Sequence, residues 1–431
     1  MKRDIYKKLL EWKRNKNRKP LIIDGARQVG KTWIIKEFGT NEYKSMAYIN
    51  CDKTTEMKNA FKDFNIERLI RIFSAISNVT IKPDETLIIL DEVQEVPLAL
   101  TALKYFYEDA PEYHIIVAGS LLGISLHEGS GFPVGKVHEL KMYPMSFGEF
   151  IAAGGNGMLV SYITEHNWND LNALSGTLED LLRQYYYVGG MPEVVSEYIS
   201  GQDFKNVRDI QNRILRDYER DFSKHLPSEI LPKVIMVWNS IPSQLSKENK
   251  KFIYGAIKKG SRAKDFEDAI QWLINAGLLY KIPRIKKVER PLKFYEDFSA
   301  FKLFISDLGL LGAMSDVTAR EVFTGENYFS EYKGAFTEQY VAQEMIVRGL
   351  NPYYYSRERS TLEIDFVIQK ESVYPIEVKA EENLRSKSLK TLYMENDLLK
   401  PVRFSMSGYR EQDWMTNVPL YLAGEWIQSV K

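Results

Sequence analysis

Gly25-Ala26-Arg27-Gln28-Val29-Gly30-Lys31-Thr32 matches the pattern G-x-x-x-x-G-K-[ST] at every fixed position. Upstream, Leu21-Ile22-Ile23 reads as a short buried strand. Downstream, Trp33-Ile34-Ile35-Lys36-Glu37-Phe38 reads as a helix. That strand–loop–helix context is what a phosphate-binding loop requires. Its glycines let backbone N–H groups curl around a polyphosphate, and the helix N-terminus adds positive potential. Lys31 then supplies a point charge for the β- and γ-phosphates, and Thr32 a hydroxyl for Mg²⁺. Residues Gly25 to Trp33 are the expected nucleotide-binding stretch. The alternative, a chance glycine-rich turn, explains neither the Lys-Thr pair nor the flanking pattern.

A second stretch extends the reading. Thr86-Leu87-Ile88-Ile89-Leu90 is an apolar run that ends in Asp91-Glu92. A run this short suits a central parallel strand buried on both faces. At its C-terminal end Asp91 is placed to hold Mg²⁺, and Glu92 to polarise the water that attacks the γ-phosphate. Taken alone, the two acids would be read as a strand end meeting solvent; the phosphate loop upstream changes that. His114-Ile115-Ile116-Val117-Ala118-Gly119-Ser120 is a third such strand. Ser120 either senses the γ-phosphate from its strand end or caps the next turn.

These motifs, with Asp91-Glu92-Val93-Gln94 and Ala118-Gly119-Ser120, resemble a family of bacterial and archaeal AAA+-type ATPases. That family carries a C-terminal domain of unknown function with a nuclease-like core. Tyr143-Pro144-Met145-Ser146-Phe147-Gly148-Glu149-Phe150 and Gly189-Gly190-Met191-Pro192-Glu193-Val194-Val195 are further matches, more specific to the family. The resemblance spans nearly the whole chain and implies ATP with Mg²⁺.

Composition sets the outer limits. The 431 residues carry 58 basic and 58 acidic side chains, with 44% hydrophobic and 27% charged content. These are values of an ordinary globular chain long enough for two to four domains. No apolar run approaches a membrane span, and the N-terminus lacks a secretory apolar core. The single cysteine, Cys51, fits a reducing cytoplasm, and one cysteine with five scattered histidines offers no zinc spacing. Residues 2 to 19 are basic, with Ile5, Leu9, Leu10 and Trp12 at helical spacing. They read as an amphipathic helix packed on the nucleotide-binding core.

The expected fold class is α/β, in four parts. Residues 1–165 form the AAA+-type P-loop core. Residues 166–233 form a helical lid, with Leu171, Leu174, Leu178, Leu181, Leu182, Tyr185 and Tyr186 at three- and four-residue steps. Residues 234–295 read as a winged helix: helices near Val234–Ile241, Tyr254–Lys258 and Phe266–Ala276, then a hairpin of 277–283 with Leu292–Tyr295. Its basic residues Lys250, Lys251, Lys258, Lys259, Arg262, Lys264, Arg284, Lys286, Lys287 and Arg290 fit the phosphates of double-stranded DNA, or a solvated face.

Residues 296–431 form the last part. Leu362-Glu363-Ile364-Asp365-Phe366-Val367-Ile368 and Val373-Tyr374-Pro375-Ile376-Glu377-Val378-Lys379 alternate, with a polar turn between. A turn centred on Glu371 sets Asp365 opposite Glu377, and strand period puts Lys379 on the same face. Two carboxylates of this kind can hold a divalent metal, and a lysine can orient water. The pattern resembles the PD-(D/E)xK nuclease motif, with Asp365, Glu377 and Lys379 in its places. The resemblance adds Glu338, on the helix around Ala335 to Met345, as the superfamily's further acid. It therefore implies a restriction-endonuclease-like domain with metal ligands Glu338, Asp365 and Glu377. The other reading of the strands is a charged, solvated edge; Pro375 calls for an edge or a bulge.

Two functions follow from different classes. One is an ATPase coupled to a DNA-binding, nuclease-like domain. The other is a nucleotide-controlled switch that binds a protein partner through an inactive nuclease-like domain. A phosphate-loop kinase is disfavoured by Gly189-Gly190-Met191-Pro192 and the appended domains. Arg213, Arg216 and Arg220 are open either as phosphate-reaching arginines or as surface ion-pair residues, and a homo-oligomer is left open.

Overall fold

The computed structural model describes residues 1–119, 133–247, 250–324, 329–357, 360–380 and 385–430, without the side chains of 324 and 329–331. The chain forms two compact units, one of residues 2–143 with 275–278, the other of 144–274 with 279 onward.

The first unit is built on five strands: β1 (Leu21–Asp24), β2 (Ser45–Asn50), β3 (Thr86–Asp91), β4 (His114–Ala118) and β5 (His138–Lys141). They lie in the order β2-β3-β4-β1-β5, and every pair is parallel. Parallel strands need crossovers, here the helices Lys31–Glu42, Ile66–Ser77 and Pro97–Asp109, which cover the faces of the sheet. Hence β3 and β4, apolar through Leu87–Leu90 and Ile115–Ala118, are buried along their whole length. At the edge, His138-Glu139-Leu140-Lys141 alternates and is partly exposed. The main core gathers Ile22, Ile49, Phe61, Phe73, Ile88, Leu90, Leu103, Phe106 and Val117. Each such side chain contributes about 1.5–3 kcal/mol of burial. The N-terminal helix Ile5–Arg14 buries Ile5, Leu9 and Trp12, so the basic segment is amphipathic as its spacing suggests. Arg3 turns inward and donates to Val29 O at 3.0 Å and Tyr143 O at 2.7 Å.

Because the strands are all parallel, their C-terminal ends share one edge of the sheet. The strand ends at Asp24, Asp91 and Ala118 therefore gather there, with β4 standing between the other two.

The second unit holds the helices Ser175–Val188, Phe204–His225, Leu231–Leu245 and Phe329–Val347 and a mixed eight-stranded sheet. Its strands are β6 (Leu279–Ile285), β7 (Glu296–Ile305), β8 (Tyr353–Ser356), β9 (Glu363–Gln369), β10 (Val373–Val378), β11 (Val402–Ser405), β12 (Arg410–Glu411) and β13 (Thr416–Pro419). The order is β12-β13-β11-β10-β9-β8-β6-β7.

This topology corrects the sequence reading at three points. First, Leu292–Tyr295, expected as the second strand of a wing, is a short 3-10 turn. Its first N–H, on Leu292, is taken by the Gln369 side chain at 2.8 Å, not by a neighbouring strand. The partner of β6 is β7, and β6 also pairs in parallel with β8. The hairpin is thus one side of the C-terminal sheet. Second, two residues of the basic set face inward. Lys250 pairs with Glu338 and Arg284 with Asp297. Third, β10 is an interior strand, not an edge. Pro375 is tolerated one residue before the β10–β11 ladder begins at Ile376↔Val402.

The two family-specific motifs meet inside this unit. Met145 N donates to Gly190 O at 2.7 Å, and the Tyr185 hydroxyl donates to Met145 O. Gly190 N donates to the buried Asp307 carboxylate at 2.6 Å. A Cβ on Gly190 would stand 2.1 Å from Met145 O, so the close backbone approach requires glycine. Ser146 and Glu149 form a reciprocal cap on the next helix.

Candidate nucleotide site and C-terminal carboxylate–lysine cluster

At the end of β1 the chain turns at Gly25, with φ 148°. A Cβ there would meet Met142 O at 2.1 Å, which restricts the position to glycine. Gln28 and Gly30 also have positive φ, curling the loop toward the helix Lys31–Glu42. Among the described residues no side chain caps that helix N-terminus, so the turn that an anion would meet is formed by backbone N–H groups. Ala26 and Val29 anchor the loop in the core. Gly277, from the segment that joins this unit, lies against it: a Cβ there would stand 3.0 Å from Ala26 N. Arg27 is part of the loop's charge, and Trp33, 44% exposed, stands on the first helical turn.

Lys31 is buried and donates to Gly25 O at 2.7 Å and Ala26 O at 2.8 Å. Burial pushes its ammonium down to about 8, against the pull of Asp24, Glu92 and Asp91. Burial likewise lifts the Asp24 carboxyl above its ordinary range, opposed by Lys141. The Thr32 hydroxyl donates to Asp91 Oδ2 at 2.8 Å, which joins the two motifs. Tyr48, on β2, donates to the same oxygen at 2.9 Å. The groups suited to Mg²⁺, a hydroxyl and a carboxylate, therefore stand together at the mouth of the loop. These residues fit nucleotide-bound Mg²⁺.

Glu92 sits beside Asp91 in the left-handed region, at φ 52°. This turns its side chain off the strand line, where Gln94 Nε2 donates to Glu92 Oε2 at 2.6 Å. Ser120 lies outside the described residues. Tyr48, Gln94 and Asp24 are contacts that sequence reasoning missed; Asp24, directly before Gly25, is the one with a positional signal.

The second cluster lies on the eight-stranded sheet. The β9–β10 register pairs Val373 with Gln369 through Ile376 with Phe366. Residues 370–372 form the turn, and one further step sets Asp365 opposite Glu377. Asp365 Oδ2 accepts from Val378 N at 2.7 Å. Lys379 pairs with Glu377 Oε1 at 2.8 Å. Glu338, from the helix Phe329–Val347, reaches the same region, close enough to act electrostatically on Asp365. Burial pushes the Asp365 carboxyl up to about 7, and the neighbouring Glu338 adds to it. Two residues that sequence reasoning did not assign here complete the cluster. Lys250 Nζ stands 2.7 Å from Glu338 Oε1. Lys302, on β7, stands 3.0 Å from Glu363 Oε1 and 3.6 Å from Glu338 Oε2. The only trace of Lys302 in the sequence is a lysine inside the apolar run Ala300-Phe301-Lys302-Leu303-Phe304-Ile305. Among the described residues no three His, Cys, Asp or Glu side chains form a metal-binding group. Arg213 and Arg220 engage in surface pairs with Glu193 and Asp217.

Comparison with known proteins agrees with the first site. Residues 17–151 match the AAA domain family. The fold and the loop thus define a P-loop nucleotide-binding domain, and that domain is an ATPase domain of the AAA type. Residues 179–321 match a domain of unknown function (DUF8612), and residues 333–421 match another (DUF4143). None of the curated proteins matches. The chain is similar to the Walker-type ATPase PABY2304 of Pyrococcus abyssi, at 15% identity and a TM-score of 0.45, over 72% of this chain and 94% of that one. It is also similar to the Aeropyrum pernix ORC1 protein in complex with DNA, at 13% identity and a TM-score of 0.26, over 73% and 90%. The ATPase assignment rests on the family match and the loop geometry. Among the described residues, no helix is long and apolar enough to cross a membrane.

Proposed function

We propose that the chain binds ATP with Mg²⁺ at Gly25 to Trp33, hydrolyses it with Glu92, and uses the nucleotide state to control its C-terminal domain. The observation that carries this is the Thr32–Asp91 hydrogen bond at the mouth of the glycine loop. It brings the two elements that handle phosphate and metal to one point. Lys31 neutralises the β- and γ-phosphates, and Thr32 and Asp91 hold Mg²⁺. Bound there, Mg²⁺ draws charge from the phosphate oxygens. Glu92 orients the attacking water once Gln94 releases or shares its carboxylate. Control of the second unit is supported by chain continuity: Gly277, against the loop at Ala26, is separated from β6 by the single residue Leu278.

Calorimetry with Mg-ATP tests the reading. Lys31→Ala should lose tight binding while the protein stays folded, because the ammonium serves the ligand. Undiminished affinity in that variant would end the assignment. The cytoplasm, where ATP is abundant and Cys51 stays reduced, is the compartment that suits this activity.

A second reading concerns the partner. Lys258, Lys259, Arg262, Lys264, Lys286, Lys287 and Arg290 are exposed on residues 258–264 and 286–290, on either side of β6 in the chain. Such a set suits the backbone of double-stranded DNA. The C-terminal domain is then a restriction-endonuclease-like module, with Glu338, Asp365, Glu377 and Lys379 as its characteristic residues.

A further inference from the structure

Carboxylates gathered on one face of a sheet repel unless a cation stands between them. In a nuclease-like module that cation is a divalent metal. Here the chain supplies positive charge of its own. We infer that Lys302 and Lys250 take the place of a divalent cation at the Glu338–Asp365–Glu377 cluster, so that the cluster holds together without metal and the C-terminal domain does not cleave phosphodiesters by a metal-assisted route. The inference is independent of the nucleotide site.

The geometry supports it on three grounds. Glu338 Oε1 is paired with Lys250 at 2.7 Å, and Lys302 stands 3.6 Å from Oε2, close enough to compensate its charge though not to hydrogen-bond it. Any metal bound to those oxygens would sit against two like charges, and the cost of that repulsion grows in a desolvated place. Lys302 is not a surface lysine that can swing aside. Its side chain is 1% exposed, it lies over the Tyr354 ring at 4.9 Å, and it grips Glu363 at 3.0 Å as well. The charges also balance. Glu338, Glu363 and Glu377 each have a lysine partner among Lys250, Lys302 and Lys379. Asp365, which is left over, accepts a backbone N–H from Val378 instead.

The test is titration of the nucleotide-free, full-length chain with Mn²⁺ in a calorimeter. Wild type and Asp365→Asn are expected to give the same isotherm, since metal taken up elsewhere is common to both. Lys302→Met should gain one Mn²⁺ site that Lys302→Met/Asp365→Asn lacks, because it leaves Glu338 and Glu363 undercompensated. A folded Lys302→Met chain that gains no site would overturn the inference. So would a wild-type Mn²⁺ site that Asp365→Asn abolishes, or Mn²⁺-dependent degradation of DNA lost in that variant. If Lys302→Met does not fold, the comparison of wild type with Asp365→Asn decides the matter alone.

Discussion

Raising the pH should weaken ATP binding in a way that only a buried, low-affinity lysine proton explains. In the free protein Lys31 is enclosed by its own loop and titrates at about 8. It is held there by Gly25 O and Ala26 O, which are dipoles and not full charges. A bound polyphosphate brings full negative charge and restores the ammonium to its ordinary value of about 10.4 or above. The sign follows from linkage. The bound state holds the proton more tightly, so binding is independent of pH below about 8 and weakens as pH rises through it. Above that point each pH unit costs about 1.4 kcal/mol, or about tenfold in Kd. Affinity at pH 9 should therefore be about tenfold below its value at pH 7, and at pH 10 about a hundredfold. Calorimetry at pH 8.5 in buffers of different ionisation enthalpy gives a second reading. It should register uptake of about three-quarters of a proton per ATP. The Lys31→Arg chain, whose guanidinium does not titrate in this range, should show neither effect from this position. A wild-type Kd that stays flat from pH 7.5 to 9.5, with no proton uptake, would refute a desolvated Lys31.

Other outcomes follow from the same structure. Glu92→Gln should bind ATP as tightly as wild type yet turn it over at least a hundredfold more slowly, since the carboxylate acts on the water in the transition state; single-turnover hydrolysis at the parent rate would assign the base elsewhere. Gly190→Ala should destabilise the chain by several kcal/mol in urea unfolding, because its Cβ would stand 2.1 Å from Met145 O; an unchanged midpoint would mean that the two backbones separate without cost. Neutralising Lys286, Lys287 and Arg290 together should weaken double-stranded DNA binding and flatten its dependence on salt, as fewer counterions are released. No binding by the wild type at low salt removes DNA as a partner.

The nucleotide site was legible because its geometry is backbone geometry. A loop that must present N–H groups needs Gly25 and Gly30, and the lysine and hydroxyl that follow need the first turn of a helix. All of that is local in sequence. β3 and β4 were legible for a related reason: a strand buried on both faces has no polar alternation to hide it. The hairpin of β6 was not. Its own residues say that it pairs, but not with what. The partner strand β8 joins through Arg284↔Tyr354, 70 residues apart, and nothing short-range encodes that. Leu292–Tyr295 shows the same limit. Its alternation suits a strand, yet the Gln369 side chain takes its first N–H and closes a turn. Likewise the alternation of 362–379 conveyed which acids share a face, but Lys302 reaches them from β7, which comes some sixty residues earlier in the chain. Whether Glu338 faces metal or ammonium is decided by that distant lysine.

The motifs most specific to the resembled family illustrate the difference between a conspicuous residue and a reactive one. Gly189-Gly190 invites a functional reading, as a flexible pair between two helices. In the structure it is a packing device. Gly190 lets the Met145 backbone approach until an N–H···O bond forms, and the same residue donates to Asp307, which also accepts from Leu310 N at 3.0 Å and so starts the next helix. Burial raises the Asp307 carboxyl to about 6, and those N–H groups pull it back down. A carboxylate with a raised value favours the fold fully below its unfolded value near 3.9 and loses that contribution as pH rises through about 6. Asp307→Asn should therefore remove one component of any stability change between pH 4 and 7. It keeps an acceptor for Leu310 N, so the helix start survives, and it carries no charge to desolvate. If the wild-type and Asp307→Asn melting temperatures differ by the same amount at pH 4.5 and at pH 7.5, the Asp307 carboxyl is not raised in the folded chain, and the argument that burial controls it fails.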